Sequence, residues 1–313
     1  MCYTLEQAIL LLHRFFFQIG GVSMEIKNKN VLISGASRGI GCYIANAIAK
    51  QGGNIALLAL PSDLALLQEQ EEKLIQFNVT AKSFTADLSD SQQISDVIKR
   101  ISKDFGEIDI FISNAAIESV GIFDKQTEQV LEKTIAVNLL APMLITKKLL
   151  PQMQLKKSGH IVAISSFAGK IGSPYQSVYS ATKAGLNKWI LGMKREYKSS
   201  GVSFSAISPN YVSNTGMYAD VLKKADENLR TPKIAGEVTP QKVASVVVSS
   251  ILKDKTDKIV GSPLLRAVSA LNELAPNFVS NLLELFKIPQ YNKKLASVHH
   301  AKGDIIINHL QIL

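Results

Sequence analysis

Val31-Leu32-Ile33-Ser34-Gly35-Ala36-Ser37-Arg38-Gly39-Ile40-Gly41 is the stretch that decides how the rest of the chain reads. Three apolar residues make a short buried strand, and a glycine-rich turn follows at once. A helix then runs through Ile44, Ala45, Ile48 and Ala49 to a stop at Gly52-Gly53. Strand, turn and helix N-terminus together make an anion site, because free backbone N–H groups and the helix dipole face one point. Glycine is needed where the backbone turns tightly and a pyrophosphate must come close. The spacing is G-x-x-x-G-x-G, and Gly35, Ser37, Arg38, Gly39, Ile40 and Gly41 are the candidate contacts.

Outward from this unit, strands and helices alternate. Residues 54–59, 80–85, 108–113, 159–165 and 202–208 read as strands. Residues 63–77, 90–105, 127–150 and 174–197 read as helices. Short connections between them predict a doubly wound parallel sheet covered by helices on both faces. Ligands of such sheets bind at the carboxyl ends of the strands. Ser34, Asp87, Asn114, Ser165, Ser166 and Asn210 all fall at such ends.

At 313 residues and 46% hydrophobic, the chain has ample material for a core. The net charge of +9 is spread along it, with no basic run and no nucleic-acid module, so nucleic acid is excluded as a partner. Two cysteines in no metal or redox spacing fit a reducing, cytoplasmic setting. His299, His300 and His309 have no partners at ligand spacing, so no metal site is expected. Residues 1–23 are set apart: their apolar runs are too short and too broken to span a membrane, and no secretory signal is expected. They read as sequence upstream of a true start at Met24, or as an interfacial helix with Leu5, Ile9, Leu12 and Phe16 on one face.

Tyr179-Ser180-Ala181-Thr182-Lys183 puts a phenol and an ammonium one helical turn apart. A phenol titrates near about 10, and a fixed ammonium beside it is expected to lower that value and make it a usable acid/base. With Ser166 to hold a carbonyl oxygen, the three side chains are what proton transfer to a ketone oxygen requires. Pro142 cannot donate to the carbonyl of Asn138, which frees that carbonyl to hold a water.

Taken in order, S-G-A-S-R-G-I-G, Asp87-Leu88, Ser113-Asn114-Ala115-Ala116, Asn138, Ser166, the Tyr179/Lys183 pair and Pro209-Asn210-Tyr211-Val212 resemble the short-chain dehydrogenase/reductase family over about residues 29–261. The resemblance implies a Rossmann fold of seven parallel strands, a nicotinamide cofactor, hydride transfer between it and a carbonyl or alcohol, and a homo-dimer or homo-tetramer. It implies Asn138, Ser166, Tyr179 and Lys183 as catalytic group. It implies Asp87 and Leu88 at the adenine, Asn114 lining the cleft, Tyr179 and Lys183 at the cofactor ribose, and Val212 at the carboxamide. Ala116 and Asn210 stand where the family has glycine, which bears on the substrate loop. A catalytically silent NADP-binding sensor is the rival reading.

The second strand ends Ala59-Leu60-Pro61-Ser62 with no carboxylate before Asp63, and Arg38 is expected to pair with a 2′-phosphate. Both favour NADP(H) over NAD(H). Residues 24–262 read as the catalytic domain, with 214–236 as a lid, 240–252 as a helix and 258–261 as the last strand. Residues 263–313 read as an apolar helical extension. Leu264, Leu265, Val268, Leu271 and Leu274 form one stripe on it, and Phe278, Leu282, Leu283 and Phe286 another. These stripes are expected to pack on the body or another subunit, a lipophilic substrate channel or a membrane surface being the sharper alternative.

Overall fold

The computed structural model describes residues 24–213 and 236–300. The N-terminal extension, the lid up to residue 235 and the tail from 301 lie outside the described residues.

Seven strands make one parallel sheet in the order β3-β2-β1-β4-β5-β6-β7. They are β1 (Asn30–Ser34), β2 (Asn54–Ala59), β3 (Ala81–Thr85), β4 (Ile110–Ser113), β5 (Gly159–Ile164), β6 (Val202–Pro209) and β7 (Asp257–Val260). Every residue of β4, β5 and β6 is buried, as a parallel sheet covered on both faces demands. Side chains alternate between two cores. Val31 and Ile33 pack with Ile44 and Ile48 of α1 (Ile40–Ala49) and Val243 and Val247 of the later helix Pro240–Leu252. Leu32 and Phe111 face the other way, toward Ile145, Leu149, Leu186 and Ile190. That period of two makes the sequence pattern of β1 decisive.

α2 (Leu64–Ile75) joins α1 on the first face through Leu67 and Leu74, and the second face carries α3 (Ser91–Asp104), α5 (Ala141–Leu155) and α7 (Ser177–Glu196), with α4 (Glu128–Ile135) and the short α6 (Ala168–Ile171) against α7. Between α4 and α5, residues Ala136–Leu140 form a π-helical turn, with Pro142 one residue inside α5. A proline that removes one N–H from the ladder accounts for this widening. The apolar span Glu128–Leu155 is long enough to cross a membrane, yet half of it is buried within this fold. After α8 (Pro240–Leu252) and β7 come α9 (Pro263–Leu274), α10 (Pro276–Leu285) and α11 (Ile288–His300).

One boundary moves in a way that matters. The helix expected from residue 174 starts at Ser177, because Tyr175 sits in the left-handed region at φ 63°. Gln176 thereby becomes the residue that caps α7.

His160 is wholly buried in β5, and its Nε2 lies 2.8 Å from Ser205 Oγ. Ser205 already donates its proton to the carbonyl of Lys255 at 2.6 Å, so the imidazole must donate from Nε2. Nδ1 has no partner among the described residues. The ring is therefore neutral, and burial pushes its pKa down to about 4. Between about pH 6.5 and pH 4 the unfolded chain binds a proton that the folded chain refuses, so this contribution to stability is lost as the pH falls through that window. The loss amounts to roughly 3 kcal/mol. Other groups titrate in the same range, so the measurement is a difference: urea unfolding of wild type and His160→Gln at both ends of the window. The gap between the two proteins is expected to change by about that amount, and a constant gap would show that His160 is not the group responsible.

Candidate active site

β1 and β4 lie side by side, with Ser34 paired to Ser113, and their carboxyl ends open one cleft. Asn114 ties the two together. Its side-chain amide donates to the carbonyls of Ser34 (3.2 Å) and Gly35 (2.9 Å), and its own N–H donates to Ser34 Oγ at 3.1 Å. Gly35 has φ 67°, and a Cβ there would meet Ala115 Cα at 2.8 Å, so only glycine fits the crossing. Gly41 serves the same packing: a Cβ would lie 2.1 Å from the carbonyl oxygen of Gly35. Gly41 is thus a spacer of helix against strand. It does not line the cleft, whereas Gly35, Ser37, Arg38, Gly39 and Ile40 do.

The N-terminus of α1 has Gly39 as its cap and no side chain on its free amides, which leaves it open to an anion. Arg38 does not stand free, as expected from the sequence. Its Nη2 contacts Asp63 Oδ1 at 2.5 Å, and Ser37 Oγ donates to Asp63 Oδ2 at 2.6 Å. The expectation that β2 ends without a carboxylate is corrected by the 3₁₀ turn Pro61–Asp63, which folds Asp63 back into the cleft, where it is buried. Arg38 Nε remains buried without a partner among the described residues. Asp87, Leu88, Asn114 and Val212 all line the same cavity, which has a volume of about 550 Å³. Open amides and an under-used guanidinium fit a phosphate-bearing ligand.

Ser166, Tyr179 and Lys183 stand on the wall of this cavity. Ser165 Oγ donates to the carbonyl of Lys183 at 2.8 Å, which docks α7 against the end of β5. Lys183 Nζ donates to the carbonyl of Ile164 at 2.9 Å and lies 5.6 Å from the centroid of the Tyr179 ring. With no carboxylate partner among the described residues, burial lowers its pKa to about 7. Tyr179 moves opposite to the sequence expectation. Burial raises its pKa well above the ordinary phenol value, the charge of Glu118 adds to that, and a hydrogen bond with Ser166 opposes it. Desolvation outweighs the lysine because a half-neutral ammonium stabilises a phenolate little.

Asn138 is fully buried and does not line the cavity. Its Oδ1 accepts from the N–H of Ile117 and its Nδ2 donates to the carbonyl of Ile117, both at 2.7 Å. Nδ2 also reaches Thr182 Oγ1 of α7 at 3.3 Å. Its side chain therefore clamps the loop after β4 to the catalytic helix. Glu118 and Gln176 were not singled out from sequence, yet both line the cavity, and Gln176 Nε2 donates to Glu118 Oε1. The signal for Glu118 is its place four residues after Asn114, at the carboxyl end of a central strand. The C-terminal stripes are also corrected. Leu264, Leu265, Val268, Leu282, Leu283 and Phe286 line the cavity, while Leu274 and Phe278 remain exposed.

A short chain dehydrogenase family profile matches residues 29–226. The chain is 35% identical over 287 residues to a ketoacyl reductase, HetN, of Nostoc sp., covering 90% of this chain and 97% of that relative. It is 28% identical over 265 residues to dehydrogenase/reductase SDR family member 7B of Bos taurus, covering 82% of this chain and 81% of that one. A metagenomic short-chain oxidoreductase solved in complex with NADP superposes with a TM-score of 0.63 at 26% identity, covering 76% of this chain and 98% of the other. Levodione reductase shares the fold with a TM-score of 0.69 at 24% identity, over 77% of this chain and 99% of the other. Sheet order, glycine turn and the Ser166, Tyr179 and Lys183 wall agree with these likenesses, and the chain belongs to the short-chain dehydrogenase/reductase family of oxidoreductases.

Proposed function

We propose that this protein is an NADP(H)-dependent ketoreductase that interconverts a ketone and a secondary alcohol on a lipophilic or acyl substrate. The observation that carries this reading is one cavity with the glycine turn at one end and Ser166, Tyr179 and Lys183 on its wall, closed by apolar side chains. The names of the relatives, a ketoacyl reductase and an oxidoreductase bound to NADP, support the same class. When bound, the nicotinamide supplies the hydride for the carbonyl carbon. Ser166 holds the carbonyl oxygen, and Tyr179 gives that oxygen its proton. A phenol kept protonated by burial suits the donor role, and hence reduction. Lys183, with a pKa of about 7, is poised to return a proton to Tyr179 near neutral pH. Asn138 fixes the loop and leaves its own carbonyl, opposite Pro142, for a relay water. The unpaired Cys42 is compatible with a reducing cytoplasm, and a homo-oligomer is part of this reading.

Tyr179→Phe removes only the proton donor. Turnover of ketones with NADPH is expected to fall by about a hundredfold to ten-thousandfold while NADPH affinity stays within about twofold. If wild type and variant are equally inert in a broad carbonyl screen, yet both bind NADPH, the silent-sensor reading takes the place of this one.

The Ser37–Asp63–Arg38 cluster makes a second test. In the free protein Asp63 neutralises Arg38 and would face the 2′-phosphate, so selectivity for NADPH is held below what the arginine alone provides. Asp63→Asn is expected to tighten NADPH binding by about tenfold and to leave NADH unchanged or weaker. Arg38→Ala should cost NADPH about ten- to hundredfold, the worth of one charge-assisted hydrogen bond, and cost NADH little. Fluorescence titration of both cofactors decides it, and equal losses in Arg38→Ala would assign the guanidinium to the fold instead.

A further inference from the structure

Glu118 is a carboxyl in the cavity that the proton-transfer group above does not employ. It follows Ile117, whose N–H and carbonyl are both fixed by the buried Asn138, so its backbone is among the best-anchored in the site. Gln176, itself buried, donates to Oε1. A backbone bond runs alongside, from the N–H of Gly121 to the carbonyl of Tyr175 at 2.8 Å. From the far side Asn292 of α11, also buried, donates to Ser173 Oγ at 2.9 Å and to the carbonyl of Pro174 at 3.3 Å, which braces the turn that carries Gln176. The left-handed Tyr175 shows that this turn is held in a costly shape, and its result is to aim Gln176 at Glu118. One carboxyl oxygen is thus occupied. Oε2 has no hydrogen bond among the described residues, and the side chain keeps partial exposure while lining the cavity.

The surroundings make that free oxygen conspicuous. The cavity that it lines is largely apolar: Ile117, Val120, Phe167, Leu265 and Leu283 are among the other side chains on its wall. An oriented, unpaired acceptor among such side chains is a specificity element, because a ligand that satisfies it gains a hydrogen bond that a plain hydrocarbon cannot make.

We propose that Glu118 is a specificity-determining residue of this site: its free Oε2 accepts a hydrogen bond from a donor group, a hydroxyl or amide N–H, that the substrate carries beside the carbonyl protonated by Tyr179. The proposal rests on the ketoreductase reading and narrows its substrate class to ketones with a neighbouring donor. Gln176 fixes the carboxyl; it does not compete for Oε2.

The carboxyl's ionisation adds a second signature. Burial brings its pKa up to about 7, held back by the Gln176 bond, so the acceptor form gains as the pH rises through neutrality. The other ionisable groups that line the cavity among the described residues are Tyr179 and Lys183 of α7, Lys133 of α4, Tyr211 after β6, and Arg38, Asp63 and Asp87 toward the glycine turn. Lys183 also titrates near 7, and its protonation affects the shared proton step for every ketone. A ratio of two substrates cancels that shared step and isolates Glu118.

The experiment compares kcat/KM with NADPH for a medium-chain methyl ketone and for the same ketone bearing a hydroxyl on the adjacent carbon. Wild type, Glu118→Gln and Glu118→Ala are measured at about pH 6 and about pH 8, either side of the carboxyl's titration. Wild type is expected to prefer the hydroxyketone by about ten- to hundredfold at the higher pH and by less at the lower. Glu118→Ala is expected to bring the ratio close to one, chiefly through KM of the hydroxyketone. The isosteric Glu118→Gln guards against a folding defect, and it should leave a small ratio that no longer varies with pH. A ratio that is the same in all three proteins, or a wild-type ratio flat across pH, overturns the proposal while the ketoreductase reading stands. If neither ketone turns over in wild type or in a broader carbonyl screen, the ketoreductase reading itself fails, and the proposal with it.

Discussion

The cleft depends on a knot of hydrogen bonds that ties the glycine turn to the loop after β4. Asn114 binds both Ser34 and Gly35, and Ser34 Oγ accepts from the backbone of Asn114 and Ala115. Three residues on, Asn138 takes the same loop by both polar groups of Ile117, and it also holds Thr182 of the catalytic helix. One loop is therefore pinned from the ligand side by β1 and from the catalytic side by α7. Removing either asparagine would leave buried backbone groups unpaired, at about 1–3 kcal/mol each, so these contacts have little freedom to drift. Positions within such a frame can hold a reacting atom to the fraction of an ångström that proton transfer needs.

Within the frame, desolvation governs the titrating groups. Lys183 is almost fully buried with the carbonyl of Ile164 as its partner, and its charge is disfavoured; Tyr179 is likewise buried and resists ionisation. The simple picture of a lysine pulling a tyrosine into its phenolate assumes that the lysine stays charged. Here burial disfavours the charge on both groups, which leaves a phenol that stays protonated and a lysine that gains and loses its proton near neutral pH. Glu118 shifts the balance further toward the phenol whenever it is ionised. The charge of Glu118 acts on Tyr179, so kinetic pKa values that involve the two belong to the pair.

Much of this was legible in the chain itself, for a physical reason. Val31 to Ile33 followed by the glycine turn reads as a first strand with its phosphate loop, and the fold uses glycine at 35 and 41 where a Cβ would clash with backbone. β4 and the Ile161–Ile164 part of β5 show as short apolar runs, whereas β6 is buried throughout although Ser203, Ser205 and Ser208 interrupt it. The errors lie where the chain folds back on itself. Asp63 looked too late in sequence to matter at the end of β2, but a single turn after Pro61 carries it back to Arg38. Gln176 looked like the first turn of a helix, and the left-handed Tyr175 turned it toward the cavity instead. Glu118 carried no pattern at all beyond its place after a central strand. Periodicity reports which face a residue occupies within an element, and it is silent on side chains at element ends, where this site is built.

The C-terminal helices illustrate the same limit from the side of packing. By pattern alone their apolar stripes could seek the body, a partner or a membrane. In the fold, Leu264, Leu265 and Val268 of α9 and Leu282 and Leu283 of α10 line the cavity. Asn292 of α11 ties back to the 173–176 turn and receives Tyr211 OH at 3.3 Å, where Tyr211 also meets Tyr291 edge-on. Residues 263–300 are thus part of the site rather than an appendage to it. Their removal would open the apolar wall and unbrace the turn that aims Gln176, so the carboxyl of Glu118 would gain exposure and lose its fixed partner. A hydrogen bond is discriminating only where water cannot substitute for the ligand. The apolar helices and the carboxyl of Glu118 therefore belong to one device: the first supply apolar wall, and the second is the acceptor proposed for the substrate's donor group.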